Sequence, residues 1–358
     1  MTRRFENLND VFNKIGNIGK FQVFLYVIYG TIIILAGFHN IAPVFTQRTP
    51  PGIKCIETSV RPLPDKFFNQ AIVVSNDDVS SEDEDLDSIN HNLESNNTTQ
   101  ILEKWSPSTI YNERCQTHDA DYCTLIHADS NQKLSCRKFE FDATYGKSVV
   151  TDYGLICDKK FYQTQLTMIY FLGFTFGASL GGYLADNYGR KTGIETGFAL
   201  ALIFGCIPTW NFAASYKTYL FCRFIIGIGI NTSFVCAFTM ITELLGPKYL
   251  LMLTIWAQMW FAVGGCILSL IAYFLVDWQN VQNFITLFII PLWFIFRTMS
   301  PESPRYLIAK GRFEEACEVL NLIARKNGKK DVELITVLDL EDIAQEKEEE
   351  QNTKETVE

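Results

Sequence analysis

Apolar runs recur six times along the chain, at about residues 21–44, 162–184, 192–212, 217–243, 250–276 and 280–300. An α-helix needs about 20 residues to cross a ~30 Å hydrocarbon core, and each run is long enough. Lipid offers backbone N–H and C=O groups no water, so such spans close their hydrogen bonds within a helix. The pattern predicts an all-α membrane protein. It divides the chain into a hydrophilic N-terminus (1–20), a first span (21–44), a long polar loop (45–160), five further spans (161–300), a short region of amphipathic helices (301–330) and an acidic tail (331–358).

The second run, FLGFTFGASLGG from Phe171, carries Gly173, Gly177 and Gly181 on one helix face, then breaks into Asp186-Asn187-Tyr188-Gly189-Arg190-Lys191. Between lipid-solvated helices apolar burial gains little, so small residues at this spacing serve close backbone approach. Arg190-Lys191 and Gly246-Pro247-Lys248 place their loops in the cytoplasm by the positive-inside rule. So do Arg3, Arg4, Lys14 and Lys20 before the first span, and Arg297 to Lys330 after the last. Both termini are then cytoplasmic and the loop 45–160 is extracellular. Residues 1–20 lack the apolar core and cleavage site of a secretory leader, so the first span is its own insertion signal.

Averaged over the chain, 48% hydrophobic and 20% charged residues and a mean hydropathy of +0.07 mask the spans by mixing them with the loop and tail. The net charge of −9 arises in those polar parts, notably Ser81–Asp87 (SEDEDLD) and Glu346–Glu350 (EKEEE). It marks solvated segments and implies no nucleic-acid partner.

The loop 45–160 holds five of the ten cysteines: Cys55, Cys115, Cys123, Cys136 and Cys157. On an oxidising face they read as disulfide candidates, with one thiol left over. Asn96-Asn97-Thr98 and Asn97-Thr98-Thr99 are overlapping glycosylation sequons, which makes Asn96 and Asn97 acceptors. The stretch 75–100 is too polar to pack and is expected to stay unfolded. Cys115, His118, Cys123 and His127 are zinc-competent ligand types, but disulfide formation competes for the same thiols, and no metal site is assigned. His39, in the first span, faces either a substrate path or a neighbouring helix; His91 is isolated in the loop.

Several motifs carry a family resemblance. Gly182-x-x-x-Asp186-x-x-Gly189-Arg190-Lys191 resembles the signature loop between the second and third helices of the major facilitator superfamily, with Asn187 where a basic residue is usual. Arg223 and Gly227 resemble that superfamily's fourth-helix Arg-x-x-x-Gly pattern, with Ile226 where Gln is common. Pro301-Glu302-Ser303-Pro304-Arg305, followed by Tyr306-Leu307, resembles the exit of the sixth helix in sugar porters and organic cation transporters. The long first loop favours the latter, as do Asp152–Asp158 (DYGLICD), Cys115–Tyr122, Cys136–Asp142 and Ile241-Thr242-Glu243.

The chain is thus similar to the N-terminal half of the organic cation transporter family. The resemblance implies the six-helix N-terminal bundle of a major facilitator fold, with a disulfide-bonded extracellular loop and a cytoplasmic helical tail. It also implies a conformational-gating set of Gly182, Asp186, Gly189, Arg190, Lys191, Arg223, Glu243, Glu302 and Arg305.

By residues alone, Ser303 and Pro304 make a helix N-cap and first helical residue. Phe313, Ala316, Leu320 and Ile323 then form the apolar stripe of an amphipathic helix. In the fourth span Asn231, Phe234, Phe238 and Ile241 share a face. Two rings and an amide suit a cation, at about 0.5–2 kcal/mol per ring contact, although rings at this spacing also simply pack. The resemblance places Phe234, Phe238 and Gln258 in a substrate cavity, Gln258 in the fifth span at a similar depth. Arg223 and Glu195 are the clearest intramembrane charges and require partners or a function.

Facilitators place substrate between two six-helix bundles and rock one against the other, so six helices supply one wall. The expected function is transport of small organic ions, organic cations foremost, in the plasma membrane together with a second six-helix half or a full-length relative. Two alternatives stay open: a truncated, non-transporting ligand-binding or regulatory subunit, and a sugar porter-like carrier. No nucleophile–base pair or phosphate loop supports an enzyme, and no cofactor is expected.

Overall fold

The computed structural model describes residues 10–12, 19–50, 53–58, 105–106, 124–127, 133–141, 145–210, 215–244, 247–328 and 335–345. The chain divides into two compact units, Gln47–Gln163 and the remainder.

Helices long and apolar enough to cross a membrane lie at Lys20–Thr46, Cys157–Tyr188, Arg190–Thr209, Tyr216–Leu244, Tyr249–Phe274 and Trp278–Met299, all in the larger unit except the first residues of the second. In chain order these are α1 (Lys20–Thr46), α3 (Lys160–Tyr188), α4 (Arg190–Thr209), α5 (Tyr216–Leu244), α6 (Pro247–Phe274), α7 (Trp278–Leu287) and α8 (Ile289–Met299), with α2 (Val149–Tyr153) in the smaller unit. The last span, a single apolar run in the sequence, breaks between α7 and α8. Pro291 has no N–H to offer the Leu287 carbonyl, so the ladder is interrupted there.

α1 and α5 form the centre of the bundle, while α6 exposes Leu251, Met252, Ile255, Trp256 and Met259. A contiguous apolar face of this size suits lipid and not water. The glycine ridge of α3 packs on α5. A Cβ on Gly173 would collide with the Phe224 backbone, on Gly177 with the Ile228 carbonyl, and on Gly181 would crowd Thr232 at 3.2 Å. Once the backbones are that close, short polar side chains of α5 reach carbonyls of α3. Asn231 Nδ2 donates to Phe174 O at 2.6 Å, Thr232 Oγ1 to Gly177 O at 3.1 Å and Cys236 Sγ to Gly181 O at 3.5 Å. Ser233 Oγ donates to Ile194 O of α4 at 3.2 Å. On the other side of α1, Gly37 and Gly264 bring α1 and α6 together.

Beyond α8, Ser303 caps α9 (Pro304–Ala309), its hydroxyl accepting from Tyr306 N at 3.3 Å with Pro304 in the first turn. α10 (Phe313–Lys326) buries Ala316, Leu320 and Ile323, with Phe313 packed beside them.

The smaller unit departs from the all-α expectation. It holds an antiparallel four-stranded sheet of β1 (Ile53–Thr58), β2 (Trp105–Ser106), β3 (Thr124–His127) and β4 (Lys133–Phe141), in the order β1-β4-β3-β2. Ile53 faces Phe141 and Cys55 faces Phe139, and the register shifts after Cys55. Short alternation in KLSCRKFEF carries a strand period of two, which the cysteine pattern overshadows. α2 starts in a reciprocal Ser148–Thr151 capping box and stops at Gly154 in the left-handed region (φ 60°), which glycine adopts without steric cost.

Candidate functional site

The turn between α3 and α4 gathers most of the charged residues singled out from sequence. Gly189 adopts φ 103° to begin α4, and a Cβ there would strike the Glu302 carboxylate. That carboxylate accepts from Arg190 N (3.1 Å), Lys191 N (3.2 and 3.3 Å) and Ser303 N (2.9 Å). It therefore satisfies the orphan N–H groups at the positive end of α4 from a residue beyond the last span. The Lys191 ammonium does the converse at the negative end of α8, donating to Arg297 O at 3.0 Å and Ser300 O at 2.8 Å.

Arg190 ties a third element in. Its Nε and Nη2 donate to Glu243 Oε1 at 3.1 and 2.9 Å, its Nη1 to Ala185 O at 2.8 Å, and Asp186 lies 3.6 Å away. Its guanidinium also stacks 4.7 Å from the centroid of the Tyr306 ring, whose hydroxyl donates to Asn187 O at 3.1 Å. Asn187 bonds back to Tyr183 O of its own helix, so no charge contact replaces the usual basic residue. The resulting knot joins the α3–α4 turn to the end of α5, the end of α8 and the start of α9.

The knot is partly dehydrated. Burial raises the Glu302 carboxyl above its ordinary value, outweighing the three backbone donors and the nearby Arg190 charge. Burial lowers Arg305, against the raising influence of Glu243. Arg305 lies over the Phe12 ring at 5.5 Å, its Nε lacks a partner, and so does Glu243 Oε2.

Because the folded Glu302 holds its proton more tightly than the unfolded chain does, it adds stability at acidic pH. That contribution fades as pH rises from the ordinary value of 4.5 through the raised folded value. Melting curves of wild type and Glu302→Gln are expected to show the wild-type advantage growing as pH falls from about 7 to about 5. An advantage that shrinks over that interval would contradict the assignment.

Not all the expected residues join the knot. A Cβ added to Gly182 would meet nothing within 4 Å, and this glycine takes no part. Arg223 is buried deep in α5, far along the helix from Glu243. Glu195, the other intramembrane charge, pairs with Arg297 Nη1 at 2.8 Å. Tyr306, Ser300 and Asn187 are members that the sequence reading misses. Only the aromatic residue after Pro-Arg hints at Tyr306.

On the expected substrate face, the Phe234 and Phe238 rings stack with centroids 6.3 Å apart and planes at 24°. Both are half-buried. Asn231 shares their face by number, yet its amide is spent on α3 and the residue is buried. Gln258 is exposed on α6, among the apolar residues Ile255, Trp256 and Met259. It stands eleven residues after Pro247, and Phe234 ten before Leu244, so both lie about 15 Å along their helices at ~1.5 Å per residue.

Cys157 is disulfide-bonded, whereas Cys206, Cys222, Cys236, Cys266 and Cys317 are free. Asn96, Asn97, Cys115, His118 and Cys123 lie outside the described residues, as do the side chains of Cys55, His127 and Cys136. No metal-competent cluster occurs among the described residues.

A glycine-packed bundle of spans with a charged knot at one end defines a multi-pass α-helical membrane protein. The family model for "Sugar (and other) transporter" matches residues 99–357, and the chain belongs to that family, within the major facilitator superfamily. The "Organic cation transporter protein" of Drosophila melanogaster is 28% identical over 329 residues, 89% of this chain and 53% of that protein. Solute carrier family 22 member 4 of Mus musculus is 27% identical over 331 residues, covering 89% and 54%. Solute carrier family 22 member 2 of Rattus norvegicus is 33% identical over 231 residues, covering 63% and 39%. The chain spans about half the length of the first two relatives. These relatives are transporters and not enzymes. The xylose transporter of E. coli, in a partially occluded inward-open conformation, aligns with a TM-score of 0.46 and 19% identity over 56% of this chain and 50% of that one.

Proposed function

We propose that these six helices form one half of an alternating-access carrier for small organic ions, with organic cations as the substrate class. The observation that carries the proposal is the similarity over most of the chain to proteins named organic cation transporters. The exposure of Gln258 supports it. An amide turned to hydrocarbon is costly, whereas one lining a cavity shared with a second six-helix half is solvated and can meet substrate. Phe234, at a similar depth, and Phe238, one turn nearer the helix end, supply ring faces for a cation. The second half belongs either to the same polypeptide or to a separate one.

In this reading the Arg190 knot is the cytoplasmic gate. It clamps the α3–α4 turn to α5 and α9 in one state and releases it in the other, with Asp186, Gly189, Lys191, Glu243, Glu302 and Arg305 as its parts. The basic residues around Arg190 and after α8 set that end in the cytoplasm of a plasma-membrane protein. The loop 45–160 is then extracellular, glycosylated at Asn96 or Asn97, with disulfides drawn from Cys55, Cys115, Cys123, Cys136 and Cys157.

Uptake of radiolabelled tetraethylammonium by cells expressing the complete gene tests the proposal. Saturable uptake that glucose does not inhibit is expected. Phe234→Ala combined with Phe238→Ala is expected to weaken apparent affinity about tenfold or more, as the loss of two ring contacts near 1 kcal/mol each implies. Uptake inhibited by glucose, or a double variant with unchanged affinity, would argue against the substrate class and the face respectively.

A further inference from the structure

The bundle buries a positive charge that the Arg190 knot does not use. Arg223 is 1% exposed. Its Nε donates to the Tyr219 hydroxyl at 3.0 Å, and its Nη2 donates to Thr46 Oγ1 at 3.4 Å; its Nη1 has no partner. Among the described residues it forms no ion pair. Arginine does not shed its proton, and an uncompensated buried charge costs several kcal/mol even after relaxation. Its two hydrogen-bond partners lie on α5 and α1.

Two further polar side chains are buried without partners: the Tyr170 hydroxyl, and both ring nitrogens of His39. Packing of α3 on α5 brings Tyr170 to the level of Arg223. α3 and α5 pack along the glycine ridge, and the Tyr170 carbonyl abuts Gly227, one turn from Arg223. His39 and Thr46 are seven residues apart, about two turns, on one face of α1. Guanidinium and phenol O–H are donors, and a set of donors around a net positive charge selects an anion. Near-complete enclosure limits that anion to a small one.

We propose that a small inorganic anion of chloride size binds inside the six-helix bundle, held by Arg223 Nη1 and the Tyr170 hydroxyl. The site lies about three turns along α5 from Phe234 and does not depend on what the carrier moves. It balances the Arg223 charge and couples α1, α3 and α5.

Radioactive chloride binding to the purified chain in lipid nanodiscs tests it, together with thermal melts in chloride or gluconate at equal ionic strength. Wild type is expected to bind about one chloride per chain, and to melt higher as chloride rises, as ligand linkage requires. Tyr170→Phe, which keeps the ring, is expected to weaken chloride binding about tenfold, the loss of one charge-assisted hydrogen bond. Arg223→Gln is expected to abolish it. Melts indifferent to the choice of anion would overturn the proposal and leave only water at these groups. Chloride binding of wild-type strength in Tyr170→Phe would overturn it equally, even if Arg223→Gln failed to fold.

Discussion

Gly173→Val is expected to destabilise the bundle by on the order of 3 kcal/mol, the upper end of the usual overpacking range. The added side chain would collide with the backbone of Phe224, including its carbonyl, and a backbone cannot rotate aside as a flexible side chain can. α3 and α5 would have to separate. Separation would stretch the bonds from Asn231, Thr232 and Cys236 to α3 carbonyls, each about 0.6 kcal/mol in membrane proteins. Gly182→Ala is the matched control, because a Cβ there meets nothing; it is expected to be neutral or stabilising by about 0.5–1 kcal/mol. Unfolding titrations in detergent distinguish the two, and equal stabilities would remove the glycine ridge as the basis of α3–α5 packing.

Arg190→Ala is expected to cost about 2–3 kcal/mol, less than the ~3–5 kcal/mol of stranding one partner of a fully buried pair, because Arg190 and Glu243 are only partly buried. Glu243 is the stranded partner: its side chain is 14% exposed and its Oε2 is already unbonded. Glu243→Gln added to Arg190→Ala is expected to restore about 1 kcal/mol or more by removing the buried charge. The native thiol of Cys236, wholly buried beneath α3, reports on opening. Peptide mass spectrometry is expected to find it alkylated in Arg190→Ala and protected in wild type. If stability holds and Cys236 stays protected, the knot does not clamp this end of the bundle.

The spans are legible because lipid partition is a property of each segment by itself. An apolar run of sufficient length must become a helix wherever its neighbours lie. The α9 cap is readable for a similar reason, since Ser303, Pro304 and Tyr306 are within one turn. The α10 stripe likewise needs only the helical period. Resemblance singles out most residues of the knot, but not their connections. The strands of the smaller unit leave only a weak alternation, which nine residues of β4 carry in part.

What the amino-acid order determined by itself was the set of membrane-crossing segments, the glycine face able to admit a second backbone, and the helix start at Ser303. Those depend on free energies summed over a few neighbouring residues. Tertiary structure alone decided that Glu302 caps a helix begun 112 residues earlier, that Asn231 serves α3 and not its own aromatic face, and that Arg223, Tyr170 and His39 are buried with polar atoms unpaired. Each outcome turns on which backbones come within hydrogen-bond reach. Helix periodicity does not encode that distance; the packing of distant glycines sets it.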